Sequence, residues 1–146
     1  MQKKYPSKVS YGLLIFIFLI FFGPLIWDFA NGRAEGKSIG LLIFISLIFL
    51  FVLHLFFGTV YTIENDILKI KSGFFKFKPI PVSKIKEVSK TSIILSSPAP
   101  SFDRILIKYG KFDEIILSPK DKFKFTKDLK QINPDIVDKV NPVPEN

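Results

Sequence analysis

The chain has 146 residues, 48% of them hydrophobic and 17 of them Phe, and carries a formal net charge of +8. It has no Cys, which excludes disulfide frameworks, thiolate metal sites and Cys nucleophiles. Its single His, His54, lies inside an apolar run, so a His-rich metal site or a Ser-His-Asp triad in an aqueous domain is excluded as well.

In chain order, residues 1–10 carry Lys3, Lys4 and Lys8 and no acid. Val9–Trp27 follows as 19 residues without a charge. Pro24 is predicted to kink or end a helix there, and Trp27 suits the aromatic belt of a membrane interface. A basic start and an apolar run also fit a cleaved signal peptide. The run exceeds a usual signal core, however, and Gly32-Arg33-Ala34 is a poor cleavage site. Asp28–Lys37 is predicted as a short loop, with turn chemistry at Asn31-Gly32 and Gly36.

Ser38–Ile63 is the longer uncharged stretch, 26 residues, and within it Ile39–Phe57 is almost continuously apolar. Nineteen helical residues span roughly 28 Å at 1.5 Å each, close to the hydrocarbon thickness of a bilayer. Backbone groups find no water there, so a spanning segment must be helical. A fully buried helix of a soluble protein is the competing reading. Lys3, Lys4, Lys8, Lys69, Lys71 and Lys76 flank the pair of runs on one side, against Arg33 and Lys37 on the other. That balance predicts an antiparallel transmembrane hairpin in the inner (cytoplasmic) membrane with both termini cytoplasmic. His54 stands about one turn from the cytoplasmic end, and the first run has no acid to complete a proton relay. It is read as structural rather than functional.

After Gly58 the pattern turns to alternation. Tyr61 and Ile63, then Leu68 and Ile70 between Lys69 and Lys71, predict a hairpin turning at Asn65-Asp66. A second turn is expected at Ser72-Gly73. Phe75 and Phe77 then alternate with Lys76 and Lys78, and both Phe side chains are expected in the core. Pro79 and Pro81 should end that strand or hold it at a sheet edge. Ile85 and Val88 continue the apolar pattern. Ile93-Ile94-Leu95 reads as a short buried strand and Ser96–Ser101 as a connection. Ile105, Ile107 and Tyr109 form the next strand, Gly110 a turn, and Ile115–Leu117 another strand. Six or seven strands in about 60 residues must curl into a barrel or sandwich to bury their apolar faces. One helix closes the pattern. Ser118 is its expected N-cap, Pro119 its first residue, and Phe125, Leu129 and Ile132 its apolar stripe; Asn133-Pro134 stops it. The boundaries read as anchor 1–57, domain 58–136 and flexible tail 137–146.

Several of these segments are familiar together: YTIENDILKIKSGFFKFKPIPVSKIKEVSKT, SSPAPSFDRILIKYGKFDEIILSPKDKFKF and NPDI. Over about Gly58–Ile136 the chain resembles the YyaB-like bacterial pleckstrin-homology (PH) family of uncharacterised proteins. The positions that carry the likeness are Ser101, Asp103, Arg104, Ser118, Pro119, Asn133 and Pro134, with Tyr109-Gly110. The resemblance implies a PH-like fold: a strongly curved antiparallel sheet, or partly open barrel, of about seven strands with a C-terminal helix plugging one end. It implies no activity.

The expected function is therefore a non-catalytic, membrane-anchored binding or scaffold module of unknown ligand. One alternative is an anionic-lipid sensor working through basic hairpins, with Lys69, Lys71, Lys76 and Lys78 facing lipid or a partner; each lysine near an anionic leaflet contributes about 1 kcal/mol. The first-hairpin turn Asn65-Asp66 is short and acidic, which counts against specific headgroup capture there. An uncharacterised enzyme is a further alternative. Asp103-Arg104 and Asp113-Glu114 are the only notable charged clusters beside turns, and neighbours on a strand point to opposite faces. Phe75 and Phe77 among lysines could stack bases, but nucleic acid is not expected because the core needs those rings. No cofactor, metal or small-molecule substrate is identified. The bilayer is the expected partner, with a membrane protein or self-association beside it.

Overall fold

The computed structural model describes residues 2–33, 35–93 and 99–141. Two long apolar helices precede a β-rich body. Helix α1 runs Tyr11–Ala30 and α2 runs Gly36–Phe57. Both are long and apolar enough to cross a membrane. Ser10 caps α1, its side-chain oxygen accepting from the Leu13 N–H, which moves the start two residues past Val9. The helix continues through Pro24 to Ala30, so Pro24 does not end it. Almost no side chain of either helix is buried; Leu14 and Leu25 are the exceptions. The pair touches through aromatic rings, with Phe18, Phe21 and Phe22 packed around Phe49.

The first sheet contains β1 (Gln2–Pro6), β2 (Thr59–Glu64), β3 (Ile67–Ser72) and β4 (Phe75–Lys76) in that order, with β5 (Ile80–Pro81) also pairing β3. The second has the order β8 (Asp113–Leu117), β7 (Arg104–Tyr109), β6 (Ile85–Thr91), β9 (Val137–Lys139), with β9 parallel to β6 and the rest antiparallel. The sheets are not closed into a barrel. Helix α3 (Lys122–Ile132) supplies Phe125 and Leu129 to one core shared with both sheets, and Tyr5 packs edge-on to Phe125 at 5.1 Å.

Alternation decides which side chains enter that core. The row Tyr5, Tyr61, Ile70 and the neighbouring residues Ile63, Leu68 and Ile80 face inward. Asn65 and Asp66 both take positive φ, the geometry of a two-residue hairpin turn whose twist matches the strands.

Several expectations change. Residues 2–6, read as part of the anchor, form an edge strand on β2, and 137–139, read as tail, pair with β6. Ile136 and Val140 are buried on either side of β9, which is what holds this segment down. Residues 142–146 lie outside the described residues. Phe75 and Phe77 are exposed, as is Phe74 at 74%. The reason is register: β4 has two residues, pairs only with the end of β3, and carries Phe75 opposite Ser72 where the core stops. Ile93 is in no strand and is 43% exposed, while Ile94 and Leu95 lie outside the described residues. Asp121, not Ser118, caps α3, accepting from the Lys124 N–H at 3.0 Å. Ile132 is partly exposed at the helix end.

Candidate functional site

The first candidate is the junction where the helical hairpin meets the body. Chain leaves the body after β1 and returns at β2, so residues 6–10 and 57–59 form two adjacent necks. The Ser7 N–H donates to Thr59 O at 3.0 Å and joins them. On its other side the first neck pairs with the segment leading to α3. The Lys8 N–H donates to Ser118 O at 2.7 Å, and the Lys120 N–H donates to Pro6 O at 3.0 Å. Those bonds pair Pro119 with Ser7 in an antiparallel bridge, which is why the helix cannot begin at Pro119. Ser118 is instead buried, its hydroxyl 2.8 Å from that of Ser7. The Ser7 hydroxyl also meets the Tyr61 hydroxyl at 3.1 Å, and the Ser118 N–H donates to the Tyr61 oxygen. Burial pushes the Tyr61 hydroxyl above its ordinary pKa despite these bonds, keeping it neutral.

A third strand of contacts comes from residues 99–104. The Ser10 N–H donates to Pro100 O at 3.1 Å, and the Ser101 hydroxyl accepts from the Asp103 N–H. Asp103 binds Lys8 at 2.9 Å through one carboxylate oxygen and Lys122 through the other. Partial burial alone would raise its pKa, but the two ammonium groups outweigh it and hold the carboxyl below its usual value. A carboxylate so neutralised is a poor general base. Arg104 is buried; its Nε donates to Ser101 O and its Nη1 to Ile93 O. Of the family-motif positions, Ser101, Asp103, Arg104, Ser118 and Pro119 thus gather around the first neck. Asn133 sits elsewhere: its side-chain amide donates to Val82 O and Ile85 O, pinning the end of α3 to the start of β6, with Pro134 just beyond.

The second neck packs against the β3–β4 turn. Gly58 approaches Gly73 so closely that a Cβ on Gly58 would stand 2.9 Å from the Gly73 Cα. Gly73 takes φ +56°, and its N–H donates to Gly58 O. This turn lays Phe74 on the His54 ring, centroids 4.2 Å apart and nearly parallel.

The second candidate is the outer face of the first sheet. Lys4 and Lys69 flank Thr62 in one row, and Lys71 stands opposite Lys76 in the next. All four are exposed, and Lys69, Lys71 and Lys76 line a 440 Å³ depression together with Glu64. Glu64 holds Lys69 at 2.6 Å, and that hydrogen bond lowers its pKa. Lys71 and Lys76 stand opposite each other across the β3–β4 pair with no acid bound to either among the described residues, a like-charge pair that costs stability. Lys78 is exposed but lies outside the strands. Sequence reasoning found three of these lysines together. It missed Lys4, because five residues containing one aromatic give no readable period.

At the opposite end of the body, Asp113 pairs with Tyr109 and Glu114 with Lys108 in the β7–β8 ladder, as two solvated acids in a hairpin. Among the described residues no group of three His, Cys, Asp or Glu could hold a metal ion.

Residues 59–133 match the family model described as the bacterial PH domain, just over half of the chain. No curated protein and no solved structure matches. The two sheets, the C-terminal helix across their shared core and this match agree, and the chain belongs to the bacterial PH domain family.

Proposed function

We propose that the chain is a non-catalytic binding module anchored in the inner membrane by both apolar helices, with the body and both termini on the cytoplasmic face, and that it belongs to the YyaB-like group of the family. The observation that carries this is the pairing of β1, before the hairpin, with β2, after it. One sheet is built from both sides of the hairpin, so the two helices enter and leave on the same side. The connection between them, 31–35, is too short to hold anything but a tight turn. Cations around the necks exceed those in that turn, which favours the cytoplasm for the body. The anchor holds the body in one orientation through the Ser7–Thr59 and Lys8–Ser118 bonds rather than on a free tether.

Binding without catalysis is supported by the chemistry present: Asp103 is locked between two lysines, and Asp113 and Glu114 are solvated. A second reading, contact with anionic lipid through the β3–β4 hairpin, is favoured by one specific arrangement. Phe74 leans on the last turn of α2 and is otherwise uncovered, and the Lys71–Lys76 pair stands one residue further from the turn. An aromatic pair at the interface with two lysines just above it suits an anionic leaflet.

The absence of Cys makes topology direct to test. In intact cells a membrane-impermeant maleimide should label Asn31→Cys, and should label Lys111→Cys only after permeabilisation. Labelling of Lys111→Cys from outside would overturn the orientation. Photocrosslinking from position 69 in native membranes should then capture the ligand or partner of the lysine face.

A further inference from the structure

Arg104 is 7% exposed and has no carboxylate within ion-pair distance among the described residues. Asp103, the acid beside it in sequence, has both oxygens committed to Lys8 and Lys122. Of the five guanidinium N–H groups, one on Nε and one on Nη1 are satisfied by carbonyls; Nη2 makes no hydrogen bond among the described residues. A buried cation without a counter-charge is costly, and proteins ordinarily supply an anion to it.

Arg104 lines a hollow of about 270 Å³ at the junction. The hollow far exceeds the 10–15 Å³ that one water needs. Leu13, from the first turn of α1, and Leu55 and Phe56, from the last turn of α2, form its apolar wall; Thr59, Ser72, Ala99, Pro100 and Arg104 form the rest. The Thr59 hydroxyl donates to Leu55 O at 2.7 Å, so in its contact with Ser72 at 2.9 Å it accepts. Neither hydroxyl then has a proton left for an anion. The positive end of the α1 dipole and the negative end of α2 lie side by side here and largely offset one another. Arg104 is left as the net charge in a cleft walled by the ends of two apolar helices.

We infer that this hollow holds the phosphate of an anionic membrane lipid on the Arg104 guanidinium, with the lipid's chains running along Leu13, Leu55 and Phe56. The inference rests on the membrane reading above. It differs from contact through the lysine face, because it requires one bound lipid in a built site rather than a diffuse attraction. The phosphate chemistry is shared by inorganic phosphate, but the apolar wall commits the site to lipid.

The test uses the full chain in nanodiscs of phosphatidylcholine doped with phosphatidylglycerol, with bound lipids counted by native mass spectrometry after release. The wild type should retain one phosphatidylglycerol. Arg104→Gln should lose it by about tenfold or more, as expected for a charged hydrogen bond. Leu13→Trp keeps Arg104 and fills the hollow from an apolar position; it should lose the lipid while circular dichroism and melting temperature stay those of the wild type. Lys71→Ala/Lys76→Ala should retain it. Equal retention by wild type and Leu13→Trp, or loss in Lys71→Ala/Lys76→Ala alone, overturns the inference. Displacement of the lipid by inorganic phosphate overturns the lipid source. Failure of the chain to enter nanodiscs at all would instead sink the membrane reading.

Discussion

Leu47 and Leu68 are the same residue in opposite circumstances: 62% exposed on α2 and fully buried in β3. The hairpin is apolar all round, so neither helix has a side to turn inward, and the ring contacts between its two helices gather at Phe49. The body alternates, so each strand has one. A residue's hydrophobicity therefore says little here; the period in which it recurs decides whether it meets protein or needs another apolar phase around it. The body has a core of its own, and the hairpin buries almost nothing.

Truncations should separate the two regions most sharply. Leu129→Ala, in the shared core, should cost about 2–5 kcal/mol in denaturant unfolding of the detergent-solubilised chain. Leu47→Ala should change the same measurement by no more than about 0.5 kcal/mol. Comparable losses would mean that α2 packs against protein, and the contrast would fail.

The neck is the next place to probe, since it is where the hairpin becomes part of the body. Tyr61→Phe keeps the ring and removes the oxygen that accepts from the buried Ser118 N–H. A loss of about 1–3 kcal/mol is expected from the unsatisfied donor. For the same reason a fragment of residues 58–146 lacks β1 and bares the edge of β2, and it should melt below the full chain or aggregate.

The pH dependence sharpens the picture on β1 itself. Asp128 on α3 accepts from the Tyr5 hydroxyl and pairs with Lys3 at 3.0 Å. Burial raises the Asp128 pKa, but Tyr5 and Lys3 bring it below its ordinary value. A lowered carboxylate pKa contributes stability that is present above the unfolded value, about 3.9, and is lost as pH falls through the folded one. Burial first, then Asp128, raises the Tyr5 pKa, so its contribution is present below about 10 and is lost as pH climbs beyond that. Asp128→Asn should flatten the acid limb of the stability profile and Tyr5→Phe the alkaline limb. An unchanged profile in both would detach β1 from α3.

The smallest effect is expected at the outer lysines. Lys76→Ala should shift unfolding by at most about 0.5 kcal/mol, and upward, since it relieves the cross-strand pairing with Lys71. Destabilisation instead would mean that Lys76 has an acidic partner in the folded chain.

Much of this was legible in the residues. The two helices, the Asn65-Asp66 turn, the strands carrying Leu68, Ile70, Ile105 and Ile107, and the Phe125–Leu129 stripe follow from period alone. The candidate junction was legible only as scattered motif positions. Nothing in the sequence announces that Pro100 meets Ser10 or that Ser118 meets Ser7 and Lys8, because those contacts join groups far apart along the chain. The Ser118 cap pattern misled for the same reason: local chemistry favoured a helix start, and strand-like pairing with Pro6 and Lys8 overrode it.

Sequence by itself thus determined where apolar surface is continuous and where it alternates, since both are one-dimensional patterns that backbone geometry converts directly into helix or strand. Only the tertiary structure decided that residues 2–6 belong to the sheet, that Phe74–Phe77 stand outside the core, and that Arg104 is buried beside the ends of both helices. Each of those depends on which distant backbone groups satisfy one another, and a hydrogen bond across such a separation leaves no period to read.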